Sequence, residues 1–206
     1  MSRTLAVILV AASLITATAQ AAEAQGTPTQ TVEAPTAREQ KPRWEFLVPT
    51  GTVMPTAAQR NAIKRGNLTA VQVTYLVRPN VGITSTAGWA RSRDVAAAGS
   101  PRLDVFTYDV GVEVRGSQRG AGAINFTPFA GAGAGARTYN HRDLAIDATH
   151  NAGAYLSAGG ELGFRRIGLR LELRNYVTGF KPLTGGGATH VRNDVVVMVG
   201  VRVTGR

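Results

Sequence analysis

The sequence predicts an all-β fold: an eight-stranded antiparallel up-and-down transmembrane β-barrel. Three observations predict it. Eight segments alternate apolar and polar residues with a period of two, which sends successive side chains to opposite faces of a strand. The connections between them alternate short and long, as in a barrel with turns at one end and loops at the other. No segment after the N-terminal stretch approaches the ~20 apolar residues of a membrane helix.

The N-terminus is read first. Arg3 precedes the apolar run "LAVILVAASLI" (Leu5 to Ile15), and "AQA" (Ala19 to Ala21) fits small-x-small cleavage, with "AEA" (Ala22 to Ala24) as a second site. Residues 1–21 therefore read as a secretory signal peptide. Residues 22–42, "AEAQGTPTQTVEAPTAREQKP", are rich in Thr, Gln, Ala and Pro and read as a disordered periplasmic linker. Residues 43–206 hold the barrel.

The strands follow in order. The first is 44–53, "WEFLVPTGTV", interrupted by Pro49, and the second is 68–78, with Val71, Val73, Tyr75 and Val77 on one face. The third, 80–90, aligns Val81, Ile83, Ala87 and Trp89. The fourth, 103–115, sets Phe106, Tyr108, Val110, Val112 and Val114 against Thr107, Asp109, Gly111, Glu113 and Arg115. The fifth is 123–137, "AINFTPFAGAGAGAR", and the sixth is 152–165. The seventh, 167–178, opposes Ile167, Leu169, Leu171 and Leu173 to Arg170, Glu172 and Arg174. The eighth, "DVVVMVGVRV" (Asp194 to Val203), places valine at every second position. Short connections fall at 78–80, 116–122 and 165–167, and long ones at 54–67, 91–102, 138–151 and 179–193. The piece 56–65, "TAAQRNAIKR", is the best helical candidate, one or two turns within a loop.

Composition narrows the class. Charged residues are 17% of 206 and the formal charge is +10, nearly all from arginine, since Lys41, Lys64 and Lys181 are the lysines. The balance suits phosphate-bearing partners, and export turns the expectation from nucleic acid toward anionic lipid headgroups. With no cysteine, disulfides, thiolate metal sites and a cysteine nucleophile are excluded.

With the signal peptide, the opening "WEF", the "FTPFAGAGAGA" strand and the terminal "VMVGVRV", residues 43–204 resemble the small eight-stranded outer-membrane β-barrels, the OmpA-like or OmpX-like transmembrane domains of porin-family type. The resemblance implies a bacterial outer-membrane location, contact with the assembly machinery and a monomer. Gly200 matches the family's assembly signal, but "VRVTGR" lacks its terminal aromatic residue.

Alternation defines two faces but not which one points inward. A soluble, exported, lipocalin-like ligand-binding barrel would place the valines inside. Strands without lysine, four long loops at one end, and aromatics near strand ends (Trp44, Phe46, Trp89, Phe106, Tyr108, Phe126, Phe164 and Phe180) favour valines on lipid. The inward set is then Glu45, Gln72, Arg78, Asp109, Glu113, Arg115, Glu161, Arg165, Arg170, Glu172, Arg174 and Arg202. Eight strands leave room for side chains only, and buried charges must pair. The expectation is an interior ion-pair network in which Glu113, Glu161 and Glu172 meet arginines of neighbouring strands. The glycines of "GAGAGA" (131–136) on the inner face leave room for long arginines and tyrosines opposite.

Chemistry-bearing motifs are weak. Gly131, Gly133 and Ala136 fit a loose dinucleotide pattern, but no helix follows. "HRD" (His141 to Asp143) lacks every other kinase element. His141, Asp143, Asp147 and His150 share one predicted loop, which reads as solvated rather than metal-binding. The three histidines, 141, 150 and 190, fall in predicted loops, and no strand offers His beside Ser, so no enzyme activity and no cofactor are expected. Arg60, Lys64, Arg65, Arg91, Arg93 and Arg102 make the outer loops basic, and arginine grips phosphate at two points, so glycolipid phosphates are the expected contacts. The function expected is a non-enzymatic barrel of structural, surface-interaction or adhesion type. A porin-like narrow pore for small solutes is the alternative beside the soluble ligand binder.

Overall fold

The computed structural model describes residues 43–56, 60–120, 123–180 and 190–205, without the side chains of Phe180 and His190. The signal peptide and linker read from the sequence lie outside the described residues. The strands are β1 (Arg43–Pro55), β2 (Gly66–Arg78), β3 (Val81–Arg93), β4 (Arg102–Arg115), β5 (Ile124–His141), β6 (Thr149–Phe164), β7 (Ile167–Phe180) and β8 (His190–Thr204). Each pairs antiparallel with the next, and β8 pairs with β1 to close the barrel. Closure leaves no unpaired sheet edge.

The faces resolve in one direction. On β4, Val112 is 51% exposed and the adjacent Glu113 is 3% exposed. On β8, Val199, Val201 and Val203 look outward while Val196, Met198 and Arg202 are buried. Charges therefore fill the interior and the valine rows form the outer wall, which is the reverse of a lipocalin-like barrel. From Phe106 to Val114 the outward positions of β4 are all apolar. At ~3.3 Å per residue and a tilt of ~40°, that stretch is roughly 20 Å tall, close to the ~25 Å band of membrane barrels. Trp44, Phe46, Phe126 and Phe164 project outward near the short turns. Trp89 and Phe106, with ring centroids 6.3 Å apart, lie toward the long loops.

The strands outrun their sequence-based limits at the long-loop end. The expected connection 138–151 shrinks to 142–148, because Tyr139 and His141 keep the inward parity of Arg137. The helical candidate 56–65 is not a helix over its described part: Arg60 and Asn61 form a 3₁₀ turn, and Ile63 makes an isolated bridge to Asp94. Hydrogen bonds from Lys64 N to Arg93 O (3.0 Å) and from Val95 N to Ala62 O (2.8 Å) lay this segment across the barrel end. Ile63, 2% exposed, joins an apolar cluster with Leu68, Ala90, Leu103, Tyr139 and Val196.

Inward glycines make room for inward rings. A Cβ on Gly133 would stand 2.5 Å from Tyr155 Cε1 and 2.5 Å from Val110 O, and one on Gly111 would collide with the Tyr155 hydroxyl. Gly133→Ala is expected to lower the unfolding free energy by about 1–3 kcal/mol through overpacking. The outward Ala134→Val should stay within about 0.5 kcal/mol of the wild type. Urea midpoints of the two refolded variants check the contrast.

Candidate functional site

The interior is a ladder of ion pairs built from inward positions of every strand except β2 and β3, which contribute Gln72 and Thr86. At the short-turn end Glu45 of β1 accepts from Arg115 Nη2 at 2.5 Å and Arg202 Nη1 at 2.9 Å. Arg202 also reaches Glu161 Oε1 at 2.5 Å. Arg115 Nε donates to Glu113 at 2.8 Å, and Glu113 grips Arg170 through both carboxylate oxygens. Glu172 stands between two arginines: Arg170 donates to it from Nε at 3.0 Å and Nη2 at 2.8 Å, and Arg174 donates from Nε. Arg174 continues to Gln72 Oε1 (2.8 Å), Thr86 Oγ1 (3.2 Å) and the Tyr176 hydroxyl (3.1 Å). Tyr176 in turn donates to Asp109 at 2.5 Å. The upper rung is Asp194, which accepts from Arg137 Nη1 at 2.5 Å and Arg192 Nε at 2.8 Å.

Four rings back this ladder. Arg170 lies 3.5 Å from the centroid of Phe129, Arg137 4.0 Å from Tyr176, Arg174 4.6 Å from Tyr155 and Arg192 5.4 Å from Tyr139. A guanidinium sandwiched between a ring and a carboxylate is paired and held flat at once. Among the described residues the ladder sets Glu45, Asp109, Glu113, Glu161, Glu172 and Asp194 against Arg115, Arg137, Arg170, Arg174, Arg192 and Arg202, so its formal charges cancel. Above the middle, a cavity of about 10 Å³ lies between Val53, Leu68, Thr86, Arg137, Tyr176 and Met198. That is at the lower limit for a single water. Below, the short-turn mouth opens into a vestibule of about 630 Å³ lined in part by Arg43, Arg78, Arg115 and Arg202.

Of the residues expected inside, Arg78 and Arg165 stand outside the ladder. A register shift between Leu76 and Arg78 breaks the parity that would have turned Arg78 inward, and it is exposed at the vestibule. Arg165 occupies the turn between β6 and β7 with φ 55°, and its guanidinium lies 5.4 Å from the Phe164 ring on the outside. The sequence reading missed Arg137, Arg192 and Asp194 of the upper rung, while the tyrosines it expected opposite the inner glycines are represented by Tyr155 opposite Gly133. The signal for the upper rung was parity: Arg192 and Asp194 are in phase with Val196, Met198 and Arg202.

The predicted histidine loop is pulled apart. His141 is an inward residue of β5, 6% exposed, with Nε2 3.2 Å from Asp94 Oδ2. His150 lies on β6 and its Nδ1 is 2.8 Å from Thr138 Oγ1. Asp143 takes a two-point contact from Arg102, with Nη2 at 2.7 Å and the backbone amide at 2.8 Å. These contacts hold its carboxyl down at about 2. No cluster of metal-ligating side chains forms among the described residues.

The outer basic residues do gather. Lys64, Arg65, Arg91 and Arg93 line one cleft of about 310 Å³, joined by Arg102 and Arg142, with Ser92 and Asp104. Arg60 is exposed and does not line it.

No protein-family model matches the chain, and no curated protein matches it. Solved structures do share the fold. Neisserial surface protein A is 12% identical over 78% of this chain and 96% of that chain, with a TM-score of 0.57. The outer membrane protein OprG from Pseudomonas aeruginosa is 13% identical over 80% of this chain and 96% of its own, with a TM-score of 0.55. At such low identity the likeness is one of architecture: this chain has the fold of an eight-stranded outer-membrane β-barrel.

Proposed function

We propose that this protein is a non-enzymatic bacterial outer-membrane barrel with a side-chain-filled lumen, serving a structural, surface-interaction or adhesion-type role. It is exported by the signal peptide of residues 1–21 and inserted as a monomer by the outer-membrane assembly machinery, with the linker 22–42 in the periplasm. The observation that carries the reading is the pairing of an outward apolar belt with a charge-balanced interior. An apolar wall of this extent is stable only against lipid. A lumen whose carboxylates and guanidiniums neutralise one another, and whose upper void holds at most one water, has no room for a solute file. The alternative, a narrow pore for small solutes, requires the ladder to part.

Conductance across a planar bilayer separates the two. The expected result is a baseline without stable steps after insertion of the refolded protein. Reproducible unitary steps that scale with salt concentration would remove the sealed-lumen reading and favour the pore. In cells expressing the full chain, recovery in the outer-membrane fraction is expected, with faster gel migration before boiling than after. Recovery in a detergent-free soluble fraction would remove the membrane placement itself.

A further inference from the structure

We infer that the cleft lined by Lys64, Arg65, Arg91, Arg93, Arg102 and Arg142 is a binding site for the phosphate headgroup of a lipid in the leaflet on the long-loop side. The inference rests on the membrane placement proposed above.

The cleft is on the outside wall of the barrel, not over its mouth. Arg91 and Arg93 share the outward parity of Trp89 on β3, and Arg102 shares that of Phe106 on β4. The Arg91 guanidinium lies 4.0 Å from the Trp89 ring centroid, and Trp89 stacks on Phe106 at an interplanar angle of 7°. Aromatic rings of this kind mark the level where acyl chains give way to headgroups. The cations therefore stand directly above the apolar belt, at headgroup height.

Four of the six charges are not balanced by the chain. Asp143 occupies Arg102, and Asp104 meets Arg142 at 3.5 Å. Lys64, Arg65, Arg91 and Arg93 have no carboxylate partner within salt-bridge distance among the described residues. The register makes this worse: Arg93 and Arg102 are directly opposed across β3 and β4 on the outward face. Like charges in that position are destabilising. The lumen of the same molecule pairs its arginines with carboxylates, whereas this cleft gathers four cations that have no such pair among the described residues. An anion seated beside Arg93, with Arg91 beneath and Lys64 and Arg65 at its side, supplies the negative charge that the chain does not. Guanidinium groups suit phosphate oxygens at two points each. A lipid phosphate reaches this place from the membrane plane while its chains lie on the wall below Trp89.

The test uses the full mature chain in phosphatidylcholine vesicles with increasing fractions of lipid A, a bisphosphorylated acylated disaccharide. The unfolding midpoint is read at each fraction, since a ligand of the folded state raises it. The expected result is a saturable rise for wild type, with the half-saturating fraction increased by at least about tenfold in Arg91→Gln/Arg93→Gln, since losing even one charge-assisted hydrogen bond weakens binding by about that factor. Arg60→Gln/Arg119→Gln, which removes two exposed arginines outside the cleft, should behave as wild type. If the first double variant does not refold, Lys64→Gln/Arg65→Gln carries the same expectation. An equal rise with dephosphorylated lipid A overturns the phosphate assignment. An equal rise from dissolved pyrophosphate in pure phosphatidylcholine overturns the lipid in favour of a soluble anion. A wild-type chain that inserts but shows no rise overturns the site and leaves the membrane reading standing, whereas a chain that does not insert overturns both.

Discussion

Glu172→Gln is expected to lower the unfolding free energy by about 3–5 kcal/mol, the cost of removing one partner from a buried ion pair. The position is chosen for its two neighbours. Glu172 is 2% exposed and is the carboxylate between Arg170 and Arg174. Glutamine keeps the volume and one acceptor oxygen but cancels the charge, so two guanidiniums remain in a closed interior with one carboxylate fewer. Arg170 retains Glu113, and Arg174 retains Gln72, Thr86 and a 3.6 Å approach to Asp109. Those remaining partners keep the loss at the scale of one broken pair instead of two. Arg174→Met in the same background should restore part of the loss, because a coupled pair departs from additivity by about 0.5–3 kcal/mol. Urea unfolding of refolded protein measures each variant. A single-variant effect under about 0.5 kcal/mol would mean that water, not Glu172, neutralises these arginines.

The ladder is partly legible in the sequence. β4 and β7 alternate so strictly that Glu113, Arg170, Glu172 and Arg174 are placed on one face by parity alone. What parity cannot supply is direction, because a strand with one apolar and one charged face reads the same whether its apolar face meets a core or lipid. Two kinds of local geometry then hide individual residues. The bulge beside Arg78 and the left-handed turn at Arg165 each overrule parity at one position, and both fall at strand ends where the sequence already places short connections. The upper rung is hidden differently. Arg137, Arg192 and Asp194 sit in polar runs, "RTYNH" and "HVRND", that resemble loops by composition but continue the strand pattern. The rings Phe129, Tyr139, Tyr155 and Tyr176 belong to a set usually assigned to membrane girdles, yet here they are the walls on which arginines lie flat. The basic rim is legible as composition, whereas its gathering into one cleft depends on the pairing of β2 with β3, β3 with β4 and β4 with β5, which brings Lys64, Arg65 and Arg142 beside the arginines of β3 and β4.

Leu171→Arg is expected to cost about 2–4 kcal/mol in vesicles, while Val191→Arg at the long-loop end of β8 should cost about 0–1 kcal/mol. Both positions are exposed, Leu171 at 57% and Val191 at 79%, so neither change opens a cavity or fills one. The difference between them is depth. Leu171 lies midway along the outward row Ile167, Leu169, Leu171 and Leu173 of β7, opposite Val199 of β8. A guanidinium there must either leave hydrocarbon by bending along the wall or drag water inward, and the distance to either surface is greatest at this height. Val191 lies beyond that row, paired with Gly179 near the end of β7, where an arginine head reaches the interface at once. In water the same pair of substitutions carries the opposite expectation, since replacing an exposed leucine by arginine on a soluble barrel is neutral or improves solubility. Val110→Arg, at the corresponding height on β4 and 59% exposed, should follow Leu171 and not Val191. Measured as urea midpoints of the three variants in the same vesicles, equal effects at both depths would take the belt out of the bilayer. A loss that grows toward mid-height identifies hydrocarbon as the medium around it, because no aqueous surface penalises the same substitution by depth.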